Sequence, residues 1–308
     1  MRSSCYPADV MQLSGLYTAM ISPFAEDGSL DEAGFCENLT FQEKAGVDGV
    51  VIAGSTGEGA ALTDQERERL VELAVERVGG RMQVIVGCGT NSTPSTIARV
   101  QRAKDLGADA ALVVTPPYTK PTQRGIYSHF EAIAHAVEFP VIVYNHPGRT
   151  GVNIDALTLA QIAALPHVIG VKDSHDDINA FGDILHHTET MEFSVLKGDD
   201  IQTLPAMALG ARGLVSILSN LVPVPMAHLV AALDRGDWHA ARQLHFRLLP
   251  LFKAMNFETN PIPIKAAMNL CALPAGPTRL PLTSMSEPLH TSLHELLSTA
   301  GLTPCASV

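Results

Sequence analysis

The sequence predicts an α/β protein, a closed (β/α)8 TIM barrel with an appended C-terminal helical region. Three observations carry this. Short β-rich apolar runs recur at intervals of roughly 25 to 35 residues, and they are too apolar to have a solvent-facing side, as in strands buried on both faces of a parallel sheet. A helical stretch lies between each strand and the next. The alternation continues for eight units within residues 14–237, the span of one barrel. An open doubly wound sheet is the alternative. The even repeat and the absence of a GxGxxG turn after the first strand disfavour it.

The predicted strands are Leu16–Ile21, Gly49–Ala53, Gln83–Gly87, Ala110–Thr115, Val141–Asn145, Val168–Asp173, Phe193–Lys197 and Gly213–Leu218. Each is bounded by Gly, Pro or polar residues. The first helix starts in Ser29-Leu-Asp-Glu and runs to about Ala45. Thr63-Asp-Gln-Glu is a capping-box pattern opening a helix to about Val78, with Leu70, Leu73 and Ala74 at helical spacing. Thr93-Pro94 opens the third, with proline early in the first turn. Further helices fit Thr122–Val137, Asp155–Leu165, Asp176–His187, Ile201–Leu209 and Pro223–Leu233. The remainder, 238–308, reads as helices packed on the barrel, over His239–Asn256, Pro261–Cys271 and Glu287–Ala300. Residues 1–13 read as a loose arm.

Of 308 residues, 46% are hydrophobic and 17% charged, an ordinary globular balance. The formal net charge of -11 argues against nucleic acid or an anionic membrane surface as partner. No apolar run approaches the roughly 18 residues of a membrane span. The first residues lack the apolar core of a signal peptide. Five scattered cysteines with no CxxC pair suit a reducing, cytoplasmic setting better than a disulfide framework or a zinc ribbon.

Chemistry in such a barrel sits at the C-terminal ends of the strands. Of the seven lysines, only Lys172 and Lys197 end strand-like runs. Lys172 follows Val168-Ile-Gly-Val, and period-2 alternation puts it on the face of Val168 and Gly170, with the glycine leaving room beside it. An apolar setting disfavours the ammonium form, and a neutral amine can attack a ketone to form a Schiff base. A lysine emerging into water at the strand end is the plain reading. Lys197 is the rival, with Asp199 and Asp200 after it favouring its charged form.

Tyr144 ends the adjacent strand. Beside an imine its phenol could shuttle protons if hydrogen-bonded to other hydroxyls, for which Ser55, Thr56 and Tyr118 are available; a core tyrosine is the alternative. Gly54-Ser-Thr-Gly-Glu-Gly is a glycine-rich turn between strand and helix. Its backbone N–H groups, helped by the next helix's N-terminus, could cradle a carboxylate, or it could be only a tight turn. Arg149, after a Pro-Gly turn, could clamp a carboxylate in bidentate fashion or sit on the surface. His146 could be a base or could shape the turn. Metal signals are poor: the twelve histidines show no HExxH, and Asp199-Asp200 has no acidic strand end opposite. No metal is expected.

Taken together and in order, Gly54-Ser-Thr-Gly-Glu, Tyr144-Asn-His-Pro-Gly-Arg-Thr-Gly151, Ile169-Gly-Val-Lys-Asp173 and Gly198-Asp-Asp resemble the dihydrodipicolinate synthase/N-acetylneuraminate lyase family of Schiff-base enzymes. The likeness runs from about Gly15 to Ala300. Arg149, Thr115-Pro-Pro-Tyr-Thr-Lys-Pro and Asn260-Pro-Ile-Pro-Ile-Lys265 incline it toward the synthase branch. The resemblance implies that Lys172 forms a covalent imine with pyruvate, with no separate cofactor. Ser55, Thr56 and Gly57 would hold the keto-acid carboxylate, and Arg149 the carboxylate of the aldehyde, L-aspartate-4-semialdehyde. Ser55, Tyr144 and a Tyr118 from the neighbouring subunit would form the proton relay, in a homotetramer built from dimers. A sialic acid aldolase, whose group also uses Ser at position 55, a sugar-acid aldolase, a keto-acid hydro-lyase and a silent keto-acid-binding relative are the alternatives. Lysine feedback in some members uses positions that here hold Asp64, Arg67 and Ser95, with Asn91 retained, which implies weak or absent inhibition.

Overall fold

The computed structural model describes residues 11 and 13–302. The strands are β1 (Gly15–Ala19), β2 (Gly49–Ile52), β3 (Gln83–Gly87), β4 (Ala110–Val114), β5 (Val141–Asn145), β6 (Val168–Asp173), β7 (Ser194–Lys197) and β8 (Gly213–Ser216). They form a closed parallel barrel in sequence order, with β1 pairing β8 from Gly15↔Gly213 to Thr18↔Ser216. The closure rules out the open sheet. The Asn220 side chain fastens the seam: its Nδ2 donates to Ala19 O at 2.8 Å and its Oδ1 accepts from Ile21 N at 3.1 Å.

The helices are α1 (Glu32–Ala45), α2 (Asp64–Val78), α3 (Thr93–Asp105), α4 (Gln123–Ala136), α5 (Pro147–Thr150), α6 (Ala156–Ala163), α7 (Ile178–Thr188), α8 (Thr203–Leu209), α9 (Pro223–Asp234), α10 (Trp238–Ala254), α11 (Ile262–Leu270) and α12 (Glu287–Thr299). The capping box of α2 is formed, with Glu66 N donating to Thr63 Oγ1 at 3.2 Å and Thr63 N to the Glu66 carboxylate at 2.9 Å. The single turn of α5 has no counterpart among the predicted helices. Four residues are too few for a periodic pattern to register.

Side chains alternate between two cores. Tyr17, Val51, Ile85, Leu112, Ile142, Tyr144, Leu196 and Val215 fill the barrel interior. Their strand neighbours pack outward against the helices. Most of the arm read over residues 1–13 lies outside the described residues, but Leu13 is fully buried and joins the interior cluster. Among the described residues no helix is long and apolar enough to cross a membrane.

The C-terminal helices are tied to the barrel mouth by a buried ion pair. Lys265 Nζ of α11 lies 2.8 Å from Glu58 Oε1, both side chains almost wholly buried. The amine also donates to Pro277 O at 2.7 Å and lies over the Phe24 ring. Arg279 N donates to the second Glu58 oxygen at 2.8 Å. Buried charges persist only when paired and hydrogen-bonded in this way, and removing one partner typically costs about 3–5 kcal/mol.

Candidate active site

Lys172 stands beside Tyr144 on β5 and Leu196 on β7, both interior residues, so it points into the barrel. It is 6% exposed, and its Nζ lies 4.4 Å from the centroid of the Tyr144 ring. The amine makes no ion pair among the described residues. An amine over an aromatic face, with no carboxylate partner, sits at the mouth where a barrel carries its chemistry.

The reasons for this geometry differ in part from the sequence expectation. Val168 does not share the Lys172 face. The β5–β6 register slips between Val141 and Ile142, which pair with Val168 and Gly170, and Val168 packs in the outer core. The skipped Ile169 breaks the alternation, as a bulge does. Nor is Gly170 the glycine that makes room for the lysine. A Cβ there would lie 2.5 Å from Ser194 O and 3.0 Å from Leu13 Cδ1. Gly198 makes that room: a Cβ on it would lie 2.7 Å from Lys172 Cε and 2.1 Å from Ser174 Oγ.

Lys197 faces the opposite way. It is fully buried outside the strands, donating to His175 O at 2.6 Å, 3.7 Å from Asp173 Oδ1 and over the Phe181 ring. Burial pushes its pKa down, against the opposing pull of Asp173 and Asp199. The expected influence of Asp200 is replaced by that of Asp173, whose other contacts are Asn145 Nδ2 at 2.8 Å and His175 N at 3.1 Å. Asp199 and Asp200 are occupied by backbone: Asp199 accepts from Ile201 N, and Asp200 from Ile217 N and Leu218 N. Among the described residues no group of three metal-ligating side chains exists.

The glycine-rich turn passes over the mouth beside β1. Ser22 Oγ donates to Gly57 O at 2.7 Å. Gly59 is required by close approach, since a Cβ would fall 2.0 Å from Ala53 O. Arg67 braces the turn from beneath, its guanidinium donating to Ala53, Gly59 and Gly87 carbonyls at 2.6–3.3 Å. The following helix, α2, begins only at Asp64, and its own capping box closes that end. Ser55 is half-buried and Thr56 is 3% exposed.

Arg149 is exposed on α5, and its guanidinium donates to Asn260 O at 2.9 Å. Asn260 Nδ2 donates in turn to Thr56 Oγ1 at 3.0 Å. Asn260 thus joins two predicted site residues, although the sequence reading used it only as part of a motif. His146 caps the α5 turn through its carbonyl, which accepts from Arg149 N and Thr150 N. Burial, with the charges of Arg149 and Lys172, drives its imidazole down to about 4, so it is neutral near pH 7. Tyr118 is not brought to Lys172 within the chain. It is 88% exposed with a φ of 71°, its amide donating to Thr150 O.

A closed (β/α)8 barrel with an inward lysine and tyrosine paired at its C-terminal mouth defines the class of protein. The family model described as "Dihydrodipicolinate synthetase family" matches residues 12–300, and the chain belongs to that family. It is 48% identical over 290 residues to the 4-hydroxy-tetrahydrodipicolinate synthase of Protochlamydia amoebophila, covering 94% of this chain and 97% of the relative. The crystal structure of dihydrodipicolinate synthase from Aquifex aeolicus superimposes with a TM-score of 0.93 at 39% identity, over 96% of this chain and all of that one. A structure described as the first monomeric dihydrodipicolinate synthase variant has a TM-score of 0.92 at 39% identity, covering 94% and 97%.

Proposed function

We propose that the protein condenses pyruvate with L-aspartate-4-semialdehyde to 4-hydroxy-tetrahydrodipicolinate, in lysine and diaminopimelate biosynthesis, through a Schiff base on Lys172. The observation that carries this is the Lys172 amine over the Tyr144 ring at the barrel mouth, without an ion-pair partner among the described residues. The near full-length identity to relatives named for that reaction supports the choice of substrates.

In this reading the Lys172 amine adds to the pyruvate ketone and water leaves, giving an iminium. Loss of a methyl proton gives the enamine, whose carbon attacks the aldehyde. The amino group of the semialdehyde then displaces Lys172 from the imine carbon, closing the ring and freeing the enzyme. Tyr144, Ser55 and Tyr118 carry the protons. Thr56, Ser55 and the Gly57 backbone hold the pyruvate carboxylate, and Arg149 holds that of the aldehyde.

Tyr118 takes part as a residue donated by a neighbouring subunit, in a homotetramer of dimers. Its exposure supports this: the residue is 88% open to solvent. We assign the enzyme to the cytoplasm, on its likeness to biosynthetic enzymes acting on small metabolites. Lysine inhibition is expected to be weak or absent: Arg67 is spent on three carbonyls and Asp64 pairs with Arg99.

A condensation assay tests the substrate choice. Pyruvate with L-aspartate-4-semialdehyde is expected to turn over far faster than N-acetylneuraminate is cleaved. The reverse preference would overturn the choice and leave the imine chemistry standing.

A further inference from the structure

We propose that Asn260 is a positioning residue that commits the Thr56 hydroxyl proton to the carboxylate of the bound keto acid. The inference rests on the pyruvate reading above.

A threonine hydroxyl has one proton to give and two lone pairs to receive. Asn260 Nδ2–H occupies a lone pair of Thr56 Oγ1 at 3.0 Å. Among the described residues the hydroxyl has no acceptor for its own proton. Thr56 is 3% exposed, so that proton has little water to turn to. An anionic oxygen at the barrel mouth is the acceptor that completes the set.

Among the described residues the Asn260 side chain has no other hydrogen-bond partner. Its Oδ1 is buried without a hydrogen bond, so the contact with Thr56 is the amide's only one. The segment is held firmly against the turn. Lys265, five residues on, grips Glu58, two residues beyond Thr56, at 2.8 Å. Arg149 anchors the same segment through the main-chain oxygen of Asn260. The C-terminal region therefore fixes the direction of one hydrogen bond in the keto-acid subsite.

Direction separates this role from packing. Asn260→Asp keeps the side-chain volume but can only accept. It would draw the Thr56 proton to itself, turn a lone pair toward the substrate and add a negative charge nearby. Asn260→Ala merely leaves the hydroxyl free to rotate. The isosteric change should therefore be the worse one. A packing role gives the opposite order. The main-chain contact to Arg149 survives both changes, so the aldehyde subsite should be little affected.

The experiment measures KM for each substrate, together with the pyruvate concentration giving half-maximal borohydride trapping on Lys172. In N260D both pyruvate values should rise roughly tenfold or more, and in N260A about threefold, while the aldehyde KM stays within about twofold. An equal or larger effect of N260A, or a parallel rise of both KM values, would overturn the proposal. A Thr56→Val background guards against misfolding of a single variant. If Asn260 acts through that hydroxyl, adding N260A to T56V leaves half-saturation unchanged, and a further threefold rise would refute it. Absence of any adduct on Lys172 in the unsubstituted protein would instead remove the pyruvate reading, and the inference with it.

Discussion

Two buried lysines lie on neighbouring strands, and their surroundings divide the work between them. Lys172 has an aromatic face and no counter-charge among the described residues, which leaves its amine available. Lys197 has a carboxylate, a carbonyl and a ring, which occupy it. Lys197→Met should strand the Asp173 carboxylate in a buried site and destabilise the fold by about 3–5 kcal/mol, measured by denaturant unfolding. Pyruvate should still be trapped on Lys172 in the surviving folded protein. Loss of trapping without loss of stability would make Lys197 the reacting group. Among the described residues only Lys172 of the two is without an ion pair, and the sequence ranks it above Lys197 by their neighbours. It misjudged why Lys172 has room, because a bulge at Ile169 and a glycine on the next strand are tertiary facts that alternation within one strand cannot register.

At the scale of elements, the strand ends and the loops after them were legible because buried parallel strands leave an unbroken apolar signature. The capping box of α2 was legible because it is local chemistry at fixed spacing. The partnership between the glycine-rich turn and the C-terminal helices was not. Thr56–Asn260 and Glu58–Lys265 join residues more than two hundred positions apart, and no periodicity encodes such pairs. Gly198, at the end of β7, shows how closely the elements meet at the site. Gly198→Ala would set a Cβ 2.7 Å from Lys172 Cε, so the lysine must shift. The expected result is a loss of kcat of about tenfold or more, well beyond what the change in melting temperature explains. Unchanged kcat would mean that the lysine side chain tolerates displacement.

For the whole molecule, acid should weaken the fold earlier than carboxylates alone would dictate. Burial drives both His129 and His146 from 6.5 to about 4. Between those values the unfolded chain binds more protons than the folded one, so stability falls as pH drops from about 6.5 toward 4. Glu66, held at about 2 by the Arg279 guanidinium, adds a second loss once pH falls below about 4.5. Melting temperatures should therefore decline from pH 6.5 downward, and less so in a His129→Gln/His146→Gln double variant. A flat profile between pH 7 and 5 would contradict the histidine burial. Assembly belongs to the same scale. If Tyr118 crosses to a neighbour, dilution to monomers should abolish most activity, and Tyr118→Phe should lower kcat without changing the melting temperature. A fully active monomer, checked by sedimentation at assay concentration, would exclude that role.

The proposed chemistry turns on one covalent bond, between pyruvate and Lys172. Incubation with pyruvate and borohydride, followed by peptide mass spectrometry, reads it directly. The predicted result is a reduced pyruvate adduct on the peptide carrying Lys172, lost in Lys172→Ala and kept in Tyr144→Phe at a slower rate. An adduct on Lys197, or none on correctly folded protein, would contradict it.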